Sequence, residues 1–342
     1  MAERTIDSRP DGDRRRAGAT GLAALGLAAG LAVAAWAILH VGMPAIGAGL
    51  RTAGWTGLWA ISAFHLIATV AMGFAWWRLR RTGKPATFIW GRLVRDAGSE
   101  VLPLSQIGGC VLGARAVTTQ GIAAATVGAT MLVDMTIEFV AQIAYVVLGL
   151  ALLIWQRPQS PLVTPLLGAA GILALAGTAL ALVRRRSLPR WLARAPRLSW
   201  LKAAYAVRAA AFRHEIATIY QGRRTLWPSF VLHLTAWLVS GVEAWLALRL
   251  MGADISLTTV LMMESQVYAM RSVAFLIPAA VGVQEAAYVV ASTALGLPAD
   301  LALGLSLLKR ARDLTLGIPA LLSWQLVEAR RGWRRRVPAA GD

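Results

Sequence analysis

Four ionisable residues, Lys309, Arg310, Arg312 and Asp313, sit inside an otherwise apolar stretch that runs from about residue 300 to 326. That stretch has the length of a helix crossing the hydrocarbon core. Its charges therefore fall near the midplane, where charge is costly and usually marks a substrate or ion path. A passive anchor has no use for them. A second set recurs at Asp134, Glu138 and Gln142, which puts two carboxylates and an amide on one helix face. Glu243, Glu264 and Arg271 lie in further apolar runs. Asp134, Glu138 and Glu264 are candidates for proton or ion coupling. The same residues fit a second role, pairing with arginines to hold helices together.

Two segments are interrupted in a similar way. Arg95, Asp96 and Glu100 precede Leu102-Pro103-Leu-Ser-Gln106-Ile-Gly108-Gly109, and Arg115 follows. Arg271 precedes Ile277-Pro278-Ala-Ala-Val-Gly282-Val-Gln284-Glu285. Each has an aliphatic residue before proline, glycine a few residues on, and Gln, Glu and Arg nearby. Pro103, Gly108, Gly109 and Gly113 are expected to break helical regularity. The apolar part of the first segment is too short to cross a bilayer. A re-entrant hairpin shielded by other helices would satisfy its backbone, and an amphipathic surface loop is the other reading. Freed N–H groups at such breaks can meet an anionic or hydroxylated headgroup. In transporters, paired Gly/Pro-interrupted segments point to the substrate site. The candidate binding set is therefore Arg95, Asp96, Glu100, Pro103, Gln106, Gly108, Gly109 and Arg115; then Arg271, Pro278, Gly282, Gln284 and Glu285; then Lys309, Arg310, Arg312 and Asp313.

The elements that must position these residues follow from composition. Of 342 residues 57% are hydrophobic and 15% charged, with mean hydropathy +0.58. A soluble domain of this length carries more charge. The alternation of a membrane barrel is absent. The fold class expected is all-α: a polytopic helical membrane protein with two re-entrant or broken segments, disposed as inverted repeats. Spans are expected at about 20–42, 53–77, 118–154, 162–183, 226–250 and 300–326, with the interrupted segments at 85–117 and 257–296. Gly21 to Val41 is longer than a cleavable signal core, so a retained first helix is expected.

Residues 1–19 read as a basic cytoplasmic tail, 20–328 as one transmembrane domain, and 329–342 as a second basic tail. Residues 184–225 form a basic loop, either a helix lying on headgroups or a solvated connector. The net charge of +18 lies mostly in loops. It reads as a positive-inside signal with both termini cytoplasmic, and as contact with anionic lipid, not as a nucleic-acid footprint. Cys110 is alone, which excludes an intrachain disulfide, and His40, His65, His214 and His233 have no paired ligand spacing. Neither a metal nor a cofactor is expected.

Arg95-Asp-Ala-Gly-Ser-Glu-Val-Leu-Pro-Leu-Ser-Gln-Ile-Gly-Gly109 with Gly113-Ala-Arg115, the run Gly282-Val-Gln-Glu-Ala-Ala-Tyr288, and Leu308-Lys-Arg-Ala-Arg-Asp313 resemble the hopanoid-biosynthesis-associated HpnL family of membrane proteins. That family sits in a larger group similar to the transmembrane, flippase-like part of lysylphosphatidylglycerol synthetases. The group often carries Pro-Gly-Gly-Ile-Gly-Val-x-Glu. Here Pro278, Gly282, Val283 and Glu285 match, while Ala279 and Ala280 replace the glycine pair. The resemblance covers nearly the whole chain. It implies translocation or trafficking of lipid in the bacterial inner membrane, with hopanoids or another polar-headed lipid as cargo.

Three functions compete. The first is a lipid transporter whose partners are membrane lipids, hopanoid or anionic phospholipid. The second is an intramembrane enzyme acting on a lipid headgroup with Asp134 and Glu138 as acid and base. No GxSxG, HExxH or P-loop pattern supports it, and the expectation is that the chain is not an enzyme. The third is a scaffold recruiting lipid-biosynthesis enzymes through the 184–225 loop. A homo-oligomer is compatible with each.

Overall fold

The computed structural model describes residues 43–101, 105–160, 163–164, 167–168, 171, 175, 199–273 and 282–336. Among these are nine helices: α1 Met43–Arg78, α2 Pro85–Val101, α3 Ser105–Thr118, α4 Ala124–Gln156, α5 Ser199–Gln221, α6 Arg223–Leu250, α7 Leu257–Val273, α8 Val283–Ala294 and α9 Ala299–Arg336. No described residue is in a strand. The chain is all-α, as its composition requires. Arg51–Arg78, Ala124–Gln156 and Arg224–Leu250 are long and apolar enough to cross a membrane. The expected span at 20–42 and most of that at 162–183 lie outside the described residues. So do Pro103, Pro278 and the side chain of Gln106.

Helices α2 and α3 pack side by side in opposite directions. A methyl group on Gly113 would meet Arg95 Cβ at 2.7 Å and the Gly91 carbonyl at 2.9 Å. One on Gly109 would run into Ser99 and the Arg95 carbonyl, and one on Gly98 would meet Gly109 Cα at 3.1 Å. These glycines do not interrupt the helix, contrary to the sequence expectation. Gly108, Gly109 and Gly113 all lie within the continuous turns of α3. Close contact between the backbones supplies dispersion that outweighs their low helix propensity. Helix α2 ends at Val101 and α3 begins at Ser105. The far ends of the hairpin meet where Gly83 lies against Ile122, so both ends open at one side of the molecule.

The second pair, α7 and α8, flanks residues 274–281. Tyr288 of α8 donates to Glu264 of α7 at 2.6 Å. The outer ends share a core cluster in which Ala253, Ile255, Leu295 and Leu297 pack together. Arg157, just past α4, donates to the Leu295 carbonyl at 2.9 Å. Helix α4 has 33 residues, a rise of about 50 Å. Its start adjoins the open end of the first hairpin and its finish adjoins that of the second. The two hairpins therefore enter the bundle from opposite ends, the arrangement expected of inverted repeats.

Helix α5 belongs to the region expected to be a headgroup helix or a connector. Its Ile219 is buried, with Phe212 and Ile216, against Trp76, Val127 and Met131. The one acid of that region, Glu215, lies 2.8 Å from Arg80 and accepts from Thr126 at 3.2 Å. These contacts dock α5 onto α4 and onto the end of α1. Helix α9 runs 38 residues with Pro319 inside it. Arg115 of α3 pairs with Glu328 near its end.

Candidate functional site

The tips of the two hairpins converge. Glu100, in the last turn of α2, lies 3.5 Å from Arg271, in the last turn of α7. A cavity of about 190 Å³ opens beside this pair. It is walled by the middle portions of α1, α4, α6 and α9 and by one arm of each hairpin: α2 supplies Arg92, Arg95, Asp96, Ser99 and Glu100, and α7 supplies Tyr268 and Arg271. Glu138 comes from α4, Trp237 and Ser240 from α6, His65 and Thr69 from α1, and Arg312 and Asp313 from α9. Apolar Met72, Leu93 and Leu316 complete the wall.

Burial of so many charges is sustained by pairing. Arg92 holds Glu138 with two bonds of 3.0 and 2.8 Å and Asp96 with one of 2.8 Å. Such a fork on a carboxylate is the geometry guanidinium favours. Arg95 lies 3.0 Å from Glu138 and 3.8 Å from Asp134. Its Nη1 is close enough to Glu138 for an ion pair but misaligned for a hydrogen bond, and Nε also has no hydrogen-bond partner. Asp134 is completed by His233 Nε2 at 2.9 Å. On the opposite wall, Glu243 lies between His65 Nδ1, 2.8 Å away, and Arg312. Arg312 also reaches Asp313 at 2.6 Å.

The candidate residues therefore separate. Arg95, Asp96, Glu100, Glu138, Arg271, Arg312 and Asp313 line the cavity. Lys309, Arg310, Glu264, Gln284 and Glu285 do not. Lys309 is buried against Glu264 at 2.6 Å. Arg310 binds Glu285 at 2.6 Å, and the other Glu285 oxygen accepts the Gly282 backbone N–H at 2.7 Å. Gln284 donates to Ser306 at 2.9 Å. These contacts fasten α8 and α7 to α9. The division runs along α9: Lys309 lies on the side of Arg312 and Asp313 but a turn earlier, and the earlier turn, with Arg310, meets the second hairpin while the later one meets the cavity. Gly109 serves hairpin contact and Gly108 precedes it in α3, Asp134 stands behind Arg95, and Arg115 sits at an exposed helix end.

Sequence reasoning missed Arg92, Ser99, His65, Thr69, Trp237, Ser240 and Tyr268. Arg92 was legible, since it lies one turn before Asp96 and beside Arg95. His65 and His233 gave no signal, because each finds its carboxylate far away in the chain. Among the described residues no group of His, Cys, Asp and Glu could hold a metal ion.

An all-helical bundle with crossing-length apolar helices and a charged cavity at mid-height defines a polytopic membrane protein. The chain belongs to the family described as the lysylphosphatidylglycerol synthase TM region, whose model matches residues 23–320. That family places it among membrane proteins of lipid-related processes. No curated protein and no solved structure matches the chain.

Proposed function

We propose that this protein is a lipid transporter of the flippase type, which moves a polar-headed lipid, a hopanoid derivative among the candidates, between leaflets of the bacterial inner membrane. The observation that carries the reading is the meeting of Glu100 and Arg271 at the tips of two oppositely inserted hairpins, beside a charged cavity. A headgroup held there would lie halfway through the bundle. At about 190 Å³ the cavity is smaller than the roughly 300–1,000 Å³ that encloses a drug-sized molecule. It suits a headgroup whose hydrocarbon stays in the bilayer. The reading needs no bond-making step and assigns no catalytic residue. Positive-inside bias supports a cytoplasmic location for the end that carries Arg78, Arg80, Arg81, Lys84 and Arg115.

Reconstitution into vesicles with acyl-labelled lipids tests this. Leaflet exchange above that of protein-free vesicles is expected for at least one polar-headed lipid. Arg271→Gln and Arg312→Gln should lower it, while neutralising arginines of the 184–225 loop should not. The reverse ranking would favour the scaffold reading.

A further inference from the structure

The charge on the cavity wall deepens the transport reading and rests on it. Four arginines face the cavity and so do four carboxylates. Behind this lining Glu243 stands against Arg312 and His65, and Asp134 against Arg95 and His233; the pair left to a ligand is Arg271 and Glu100, one charge of each sign. A ligand with net charge would leave one buried group without a partner, which costs far more than pairing returns. An uncharged polyol would leave the existing ion pairs untouched and would have to compete with them for hydrogen bonds.

One pair is built differently from the others. Arg271 and Glu100 are 3.5 Å apart, and each side chain is about a quarter exposed, 26% and 27%. The Arg92–Glu138 and Lys309–Glu264 pairs are tighter, at 2.8 and 2.6 Å, and more deeply buried. The loose pair is the one that a ligand can open. Beside it Arg95 and Trp237 line the same cavity, with Nε of Arg95 and Nε1 of Trp237 buried without a hydrogen-bond partner and Nη1 of Arg95 paired with Glu138 at 3.0 Å. On the other side, Glu100 and Asp313 each commit one carboxylate oxygen to an ion pair, Oε1 and Oδ1 respectively.

We propose that the headgroup recognised is a zwitterion in which a phosphate and a primary ammonium group lie a few bonds apart, as in a phosphoethanolamine lipid, the ammonium N–H donors that a choline headgroup lacks being required. The phosphate takes Arg271. The ammonium takes Glu100 and Asp313. Opening one ion pair then creates two, and no charge is left alone.

The test uses the full chain in phosphatidylcholine vesicles with four acyl-labelled probes: phosphatidylethanolamine, anionic phosphatidylglycerol, cationic lysylphosphatidylglycerol and an uncharged glycolipid. Binding of short-chain versions to detergent-purified protein is measured in parallel as a rise in melting temperature. Phosphatidylethanolamine is expected to exchange at least about ten-fold faster than the rest, the scale of discrimination available to a polar site. Glu100→Gln should shift the preference toward phosphatidylglycerol. Equal or faster exchange of any other probe overturns the zwitterion assignment and leaves the transport reading standing. Selective stabilisation by phosphatidylethanolamine without exchange of any lipid upholds the site and overturns transport. Neither exchange nor stabilisation overturns both. Should Glu100→Gln fail to fold, the four-probe comparison on the unaltered chain decides alone.

Discussion

At the scale of single residues, the polar interior divides into bonds that hold helices and bonds that yield. Glu138 belongs to the first kind, since it answers both Arg92 and Arg95 within 3.0 Å. Glu138→Ala leaves two buried guanidinium groups short of a partner. It should cost about 3–5 kcal/mol of stability, the scale for breaking a buried pair. A melting curve in detergent reads this directly, and an unchanged melting temperature would remove Glu138 from the bracing network. Arg271 belongs to the second kind. Its longer, partly exposed pair contributes within about 1 kcal/mol. Arg271→Gln should therefore fold and melt much like the unaltered chain while losing leaflet exchange. Glu285 resembles Glu138: it caps α8 and anchors Arg310, so its loss should appear as instability before any change in headgroup preference.

At the scale of elements, the first hairpin depends on glycine where the α2 and α3 backbones touch. Gly109→Val would drive a side chain into Ser99 and the Arg95 carbonyl. Separating the arms should cost about 1–3 kcal/mol and displace Arg95, which sits on the contacted turn. Gly168→Ala is the control, because a methyl group there meets nothing within 4 Å. Comparison of melting temperature and exchange rate between the two variants checks the claim. Equal behaviour would mean that the arms are not held by close backbone contact. Helix α9 contributes differently. Its charged stretch meets two neighbours, with Arg312 and Asp313 at the cavity and Lys309 and Arg310 at the second hairpin. One helix thus carries both part of the cavity wall and the anchor of the second hairpin.

At the scale of the whole molecule, the opposed hairpins make a topological prediction. Lys84 lies at the open end of the first and Gln159 at the open end of the second, and both are exposed. Single cysteines at these positions, in a Cys110→Ser background, should react with a membrane-impermeant thiol reagent from opposite faces of oriented vesicles. Labelling of both from one face would break the inverted arrangement and the transport path built on it. The distribution of basic side chains agrees with such a polarity. Arg80 reaches Glu215 and Arg115 reaches Glu328 at the end shared by α1, α3, α5 and α9.

The amino-acid sequence by itself determined the all-α class and the apolar helices long enough to cross a membrane. Apolar length fixes a spanning helix, because unpaired backbone in hydrocarbon is too costly for any other local choice. Pro103 and Pro278 fall in the intervals between α2 and α3 and between α7 and α8, whereas Pro228 and Pro319 lie inside continuous helices. Likewise Arg95, Asp96, Glu100, Arg271, Arg312 and Asp313 could be picked out, since charge in an apolar run is rare enough to be noticed alone. Only the tertiary structure decided which charges face the cavity and which merely brace. Lys309 and Arg312 look equivalent along the chain, yet they differ by most of a helical turn and meet different acids. His65 and His233 acquire their carboxylates across 178 and 99 residues. Partner choice over such distances is set by packing of the whole bundle, which no local pattern encodes.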